Sequence, residues 1–244
     1  MKALIKKAAR SLGLQISRYP PPPGSTDLYG NWLDQLRHDA SPSVIFDVGA
    51  NRGSAALRFR SEFPNSTVFA FEPGHTAFDE LKHKVAADQS IKPFQVALGE
   101  HDGSATLHQN VFDLTNSLLP NSGRINQYSP SGTCTPVGTC QTPVMRLDTF
   151  CSREAIRRID LLKIDTQGYE RQVLAGAGDL LQPETVRGLF LEVLFVDLYE
   201  GQTWCGEVME LLRSRGYRFF GFTGVAFDQT NGWKWADAMF IGDK

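Results

Sequence analysis

From residue 43 onward, short continuous apolar runs alternate with stretches whose apolar positions recur at helical spacing. SVIFDV (43–48) predicts a buried strand, followed by a helix through 53–63. TVFAFE (67–72) predicts a second strand and a helix over 76–86, and FQVAL (94–98) a third strand. LLKID (161–165) is the fourth, with a helix from Glu170 toward Leu181. GLFLEVLF (188–195) is the fifth, with a helix over 207–215, and GYRFFGF and ADAMFIG read as closing strands. Strands that are apolar throughout are buried on both faces. The pattern therefore implies an α/β fold, a parallel sheet with helices on both sides.

Residues 103–145 break this rhythm. They are rich in Asn, Ser, Thr, Gly and Pro, with short strands expected only at ATLH (105–108) and QTPVMR (141–146). A loop this long inside a compact domain usually carries function. Lying between the third and fourth strands, it is expected to cover the carboxyl edge of the sheet as an acceptor-binding lid. At the other end, Tyr19-Pro20-Pro21-Pro22-Pro23-Gly24 enforces extended chain and divides residues 1–26 from a main domain over 27–244. In 1–26, Met1, Leu4, Ile5, Ala8 and Leu12 recur at helical spacing, with Lys2, Lys6, Lys7 and Arg10 mainly opposite. That describes a basic helix covering the domain's own edge, or one contacting a membrane surface or partner.

Composition narrows the classes. The chain has 244 residues, 41% hydrophobic and 21% charged, enough for one sizeable core. A net charge of −2 provides no field to attract nucleic acid, so no nucleic-acid partner is expected. No apolar run approaches the ~20 residues of a membrane helix, and the N-terminus lacks a continuous apolar signal region. A cytoplasmic location with reduced thiols is expected. Cys134 and Cys140 are separated by five intervening residues in a loop without a second ligand pair, so no metal site is assigned to them.

The first strand ends in Asp47-Val48-Gly49-Ala50-Asn51-Arg52-Gly53. Glycines there allow a sharp bend and close approach of backbone to a ligand at the carboxyl edge. The spacing is G-x-x-x-G, and Asn51 replaces the middle glycine that admits a pyrophosphate in dinucleotide folds. A nucleoside without a diphosphate fits better than NAD, which leaves an NAD-dependent oxidoreductase a weak alternative. Twenty-three residues beyond Gly49, the second strand ends at Glu72-Pro73, and a carboxylate there can accept hydrogen bonds from ribose hydroxyls.

FDVGANRG, FAFEPG, VALGEHDG, Asn116-Ser117-Leu118, LDTF, DLLKIDTQGYE and LEV, in this order, resemble the FkbM family of methyltransferases over roughly 42–243. The resemblance implies a class I methyltransferase fold. That fold is Rossmann-like and doubly wound, with a mostly parallel seven-stranded sheet whose last strand is antiparallel. It also implies methyl transfer from S-adenosylmethionine, typically to oxygen, on a small-molecule or glycan acceptor such as a sugar, glycolipid or secondary metabolite. By motif, Gly49, Ala50, Asn51 and Gly53 would surround the methionine end of the cofactor, with Asp47 steadying the turn. Glu72, beside Pro73, would hold the ribose, and Ala97 and Leu98 would line the adenine. Many members carry an acid where this chain has Gln167. A non-catalytic nucleoside-binding module on the same fold is the alternative from another class.

A hydroxyl acceptor must lose a proton, so a base is expected near the transferred methyl. Asp165, ending the fourth strand, is the first choice and His75 the second, His being able to titrate near neutrality. Glu192, within an apolar run, needs a partner, for which Lys163 is expected. Asp165 and Glu192 could alternatively share a divalent metal, although no ligand pattern specifies one.

Overall fold

In β1 (Val44–Val48) successive side chains point to opposite faces, and both faces are buried. Ile45 packs with Trp32, Phe59, Leu161 and Phe190, whereas Phe46 and Val48 pack with Phe71, Phe150, Leu162 and Leu191. Two apolar layers thus sandwich one sheet, as the uninterrupted apolar runs require.

The computed structural model describes residues 27–38, 40–129, 132–228 and 232–243. The basic helix and proline-rich linker expected over 1–26 lie outside the described residues. β2 (Thr67–Phe71) and β3 (Ile91–Phe94) add outward from β1. β4 (Ala97–Leu98), β5 (Gly103–Asn110) and β6 (Pro136–Met145) form a separate sheet in the order β4-β6-β5. The chain then re-enters the main sheet as β7 (Leu161–Ile164), β8 (Gly188–Leu194), β9 (Tyr217–Asp228) and β10 (Gly232–Gly242).

The main sheet has seven strands in the order β3-β2-β1-β7-β8-β10-β9. β3 through β8 pair in parallel, and β10, last in the chain, runs antiparallel to both neighbours. This is the α/β arrangement that the family resemblance implies. The chain moves outward from β1 to β3, then returns to place β7 on the other side of β1. Such a reversal of strand order opens a crevice at the carboxyl ends of the strands.

Helices α1 (Leu28–Arg37), α2 (Ser54–Glu62) and α3 (His75–Val85) cover one face. A short α4 (Ile125–Tyr128) lies within 103–145. Helices α5 (Leu147–Arg153), α6 (Glu170–Gly176) and α7 (Cys205–Ser214) cover the other face. Phe150 of α5 sets its ring edge-on to Phe71 at 4.7 Å and to Phe94 at 4.9 Å, which fixes α5 against the strands flanking the crevice.

Two expectations need correction. FQVAL is not one strand: β3 ends at Phe94, and Ala97–Leu98 pair with β6 in the second sheet. The helix expected toward Leu181 stops at Gly176 and gives way to a 3-10 turn at Gly178–Leu180, where Gly178 has φ +54°. Among the described residues no helix is long and apolar enough to cross a membrane.

Candidate active site

The glycine turn is shaped first by its neighbour strand. Gly49 has φ +73°, and a Cβ there would lie 1.8 Å from the main-chain oxygen of Asp165. Glycine lets β1 and β7 end side by side. Gly49 and Ala50 N–H both donate to the Phe71 carbonyl, at 3.0 and 2.9 Å. Asn51 adopts the left-handed conformation (φ +45°), which Asn tolerates better than most residues. Its N–H donates to Glu72 Oε2 at 2.8 Å, and Gly74 N–H donates to Oε1 at 2.7 Å. The bend and the acid are therefore bound directly to each other. Glu72 is 8% exposed, and burial pushes its carboxyl up to about 7 despite the two amide donors.

A cleft of about 610 Å³, counting its open mouth, occupies this edge of the sheet. Gly49, Asn51, Glu72 and Pro73 form one wall, and Val96, Ala97 and Leu98 provide an apolar strip. Residues 107–118 contribute Leu107, Asp113, Leu114, Asn116, Ser117 and Leu118, and the tip of β7 adds Asp165, Thr166, Gln167 and Tyr169. Of the residues predicted from sequence, Gly49, Asn51, Glu72, Pro73, Ala97, Leu98 and Asp165 meet in this one cleft. Ala50 and Gly53 do not line it. Ala50 packs in the core, and Gly53 (φ +79°) lets the turn approach Leu81 of α3. Asp47 is fully buried behind the turn. His75 stands outside, exposed at the start of α3, near Asp79 and Gln95.

Lys163 does not serve Glu192 as expected. Its Nζ lies 2.9 Å from Asp47 Oδ1 and 3.7 Å from Asp165 Oδ2, and donates to the Gly49 carbonyl at 2.7 Å. Burial acts to lower the Lys163 pKa, but Asp47 and Asp165 outweigh it and hold the ammonium above its ordinary range. Asp47 thus reaches the turn through this cation. The partner of Glu192 is Gln167, whose Nε2 donates to Glu192 Oε2 at 2.7 Å and to Asp165 Oδ1 at 2.9 Å. The amide takes the place a metal shared by Asp165 and Glu192 would need. Among the described residues, no group of three His, Cys, Asp or Glu is placed to hold a metal ion.

Residues 103–145 are more regular than their composition predicts. β5 and β6 pair antiparallel from Gly103↔Val144 to Asn110↔Pro136. The segment leading from β5 across the cleft is clasped by Arg52, which meets Asp113 and Glu80 at 2.7 Å each. These pairs are partly exposed and worth at most about 1 kcal/mol to the fold. Arg52→Ala should therefore hardly change the melting temperature, yet speed cofactor dissociation several-fold by freeing the Asp113–Leu118 wall. Stopped-flow displacement would check this, and an unchanged off-rate would count against the clasp. Sequence reasoning missed Arg52, Asp113 and Tyr199, whose hydroxyl donates to Gln167 Oε1 at 2.8 Å, and treated Gln167 only as a lost acid. The quoted Asn116-Ser117-Leu118 stretch was the one local signal that this segment belongs to the site.

A family model described as "Methyltransferase FkbM domain" matches residues 47–219. The chain is 32% identical over 213 residues to 31-O-demethyl-FK506 methyltransferase FkbM of Streptomyces tacrolimicus, covering 75% of this chain and 76% of the relative. It is 29% identical over 178 residues to 2-O-methyltransferase NoeI of Sinorhizobium fredii, covering 70% of this chain and 71% of that one. Among solved structures it is similar, at TM-score 0.48 and 11% identity over 94% of each chain, to precorrin-6y C5,15-methyltransferase from Geobacter metallireducens.

Proposed function

This chain belongs to the FkbM family of methyltransferases, and we propose that it methylates a hydroxyl oxygen on a sugar, glycan, glycolipid or secondary metabolite, using S-adenosylmethionine. The observation that carries the reading is Glu72. It is a nearly buried carboxylate, anchored to the Asn51 and Gly74 amides, that forms one wall of a cleft floored by the glycine turn. These residues fit the cofactor. Glu72 would hold its ribose, the Gly49–Asn51 turn its methionine end, and Val96, Ala97 and Leu98 its adenine. When bound, S-adenosylmethionine supplies an electrophilic methyl group on a cationic sulfur.

The rest falls to the chain's own residues. Asp165 sits at the β7 tip with Oδ1 bound to Gln167 and Oδ2 toward Lys163, which supports the reading that it takes the acceptor hydroxyl proton. A base so placed is worth about 10²–10⁴ in rate, and fixed orientation of the reacting groups about 7–11 kcal/mol of barrier. His75 is the weaker choice because it lies outside the cleft. Residues 107–118 act as the lid that orients the acceptor and excludes water. Asp165, Glu72 and Asp113 in the cleft are all acids, which suits a cationic cofactor.

Incubation with labelled S-adenosylmethionine and fractionated host glycans and lipids tests the reading. The expected product is an alkali-stable methyl ether. Label confined to alkali-labile esters would contradict it, and binding of NAD in place of S-adenosylmethionine would reject the cofactor. The pH dependence is a second check. Glu72 is expected to hold ribose as the carboxylate, and its carboxyl titrates at about 7. Cofactor affinity should therefore rise roughly tenfold between pH 6 and 8, as the ionised fraction rises. Stability of the empty protein should move the other way. Glu72, Glu170 and Asp237 are all raised to about 7, mainly by burial. The stability these groups contribute is full below their unfolded values near 4.5 and 3.8 and is lost as pH rises through 7. Melting curves and calorimetry across this window should thus show opposite slopes.

A further inference from the structure

We propose that Gln167 is a positioning residue for the transfer: its amide keeps Asp165 apart from Glu192 and aims Asp165 alone at the acceptor hydroxyl. The inference rests on the O-methylation reading above. Both carboxylates lie within hydrogen-bond reach of the same nitrogen, Gln167 Nε2. Burial and the neighbouring Asp165 push Glu192 well above the usual carboxylate range, yet both acids accept from the amide nitrogen. The NH₂ faces the acids, and Oε1 faces Tyr199, whose hydroxyl donates to it at 2.8 Å. All three polar directions of the side chain are therefore specified.

The backbone is held to the same end. Gln167 has φ +57°, a left-handed conformation that a residue with a side chain keeps only when its surroundings impose it. Ser117 Oγ donates to its carbonyl at 2.8 Å, tying it to the cleft-lining segment. Glu170 Oε1 accepts from Thr166 N, Thr166 Oγ1 and Gly168 N, fixing the turn from below. Gln167 lines the cleft itself.

Without the amide, Asp165 and Glu192 would face each other and tend to share a proton, which would spoil Asp165 as a base. The other groups around the pair are Lys163 of β7, Glu170 of α6, Asp237 of β10, and Tyr199 following β8. Cys134 of the 103–145 segment faces Tyr199, and Asp47 of β1 stands behind Lys163. Among the described residues around the pair, acids outnumber the one cation, Lys163, which does not stand between the two carboxyl groups. The neutral amide does so.

Gln167→Glu tests this, because it keeps the shape and adds a third carboxylate. S-adenosylmethionine is titrated calorimetrically into the full chain at pH 7, in phosphate and in Tris, and the two enthalpies give the protons released on binding. The added carboxyl takes up a proton between Asp165 and Glu192, and the incoming cation expels it. The variant should release roughly half a proton more than the wild-type chain. An equal count would place Gln167 outside the field of the pair and overturn the proposal.

The second readout is transfer to whichever fraction the wild-type chain labels. The rising limb of the Gln167→Glu profile should move up by about one pH unit, making the rate about tenfold lower at pH 7 and restoring it near pH 9. KM for the cofactor should stay within about threefold, since the cofactor-side wall is untouched. Gln167→Ala should be slow at every pH. Superimposed wild-type and Gln167→Glu profiles would also overturn the proposal. A wild-type chain that labels nothing would remove the O-methylation reading instead, and the proton count would still decide the placement of Gln167.

Discussion

A Glu72→Ala chain is expected to bind S-adenosylmethionine a few hundred-fold more weakly than the wild-type chain. Two ribose hydroxyls donating to one ionised carboxylate contribute about 3–4 kcal/mol, at roughly 1.5–2 kcal/mol each for a hydrogen bond to a charged group. At 1.4 kcal/mol per factor of ten, that is about two to three decades in Kd. The substitution also strips the Asn51 and Gly74 N–H groups of their acceptor. Glu72→Gln separates these effects, because it keeps one carbonyl oxygen for the turn while losing the charge. It should fall between the two, about ten- to thirtyfold weaker than wild type. Its empty form should melt no lower than wild type at pH 8, where the buried carboxylate is a burden on the fold. Calorimetry giving Glu72→Ala a wild-type Kd would place the ribose elsewhere.

Gly49→Ala should cost the fold about 4 kcal/mol. The left-handed φ costs an L-residue about 1–2 kcal/mol, and the clash adds a further 1–3 kcal/mol of strain. The atom that a Cβ would strike, 1.8 Å away, is the Asp165 carbonyl oxygen, which cannot rotate aside without parting the ends of β1 and β7. For a chain of this size the melting temperature should fall by roughly 8–16 °C. Gly53→Ala is the internal comparison. Its φ is equally left-handed, but its Cβ meets Leu81 Cδ1 at 2.6 Å, the movable end of a side chain. It should cost only about half as much. Equal losses for the two variants would mean that backbone conformation alone sets the demand for glycine.

The architecture was legible because the central strands are apolar on both faces. Val44–Val48, Leu161–Ile164 and Gly188–Leu194 could hardly be anything but buried strands. The meeting of the glycine bend with the acid ending the next strand was legible for a local reason too, since both lie within one βαβ unit. The second sheet was not. Of β5 only Leu107 and Asn110 are buried, so short strands could be read at 105–108 and 141–146 but not the long pairing of Gly103–Asn110 with Pro136–Met145. The partners of Lys163 and Glu192 were hidden for another reason. Asp47 comes opposite Lys163 only through the β1–β7 register, which joins positions more than a hundred residues apart. Gly168 (φ +93°) marks a turn after β7, but nothing local shows that Gln167 before it is also left-handed, a conformation imposed from outside by Glu170 and Ser117.

The stretch between β4 and β6 departs and returns at adjacent rungs of one ladder. Ala97 and Leu98 pair with Val144 and Met145, Gly103 also faces Val144, and Gly99 N–H donates to the Met145 carbonyl. Both ends are stapled by main-chain bonds, which depend little on side chains except at Gly99, where a Cβ would meet Val144. The intervening forty or so residues are thus one insertion whose two ends lie side by side. Its length can vary without shifting the register of the two ends, whereas Leu107, Asp113 and Ser117 within it also line the cleft. A change of acceptor is therefore most easily made between Gly99 and Arg146, away from Leu107 and Asp113–Leu118, which also serve the shared cleft.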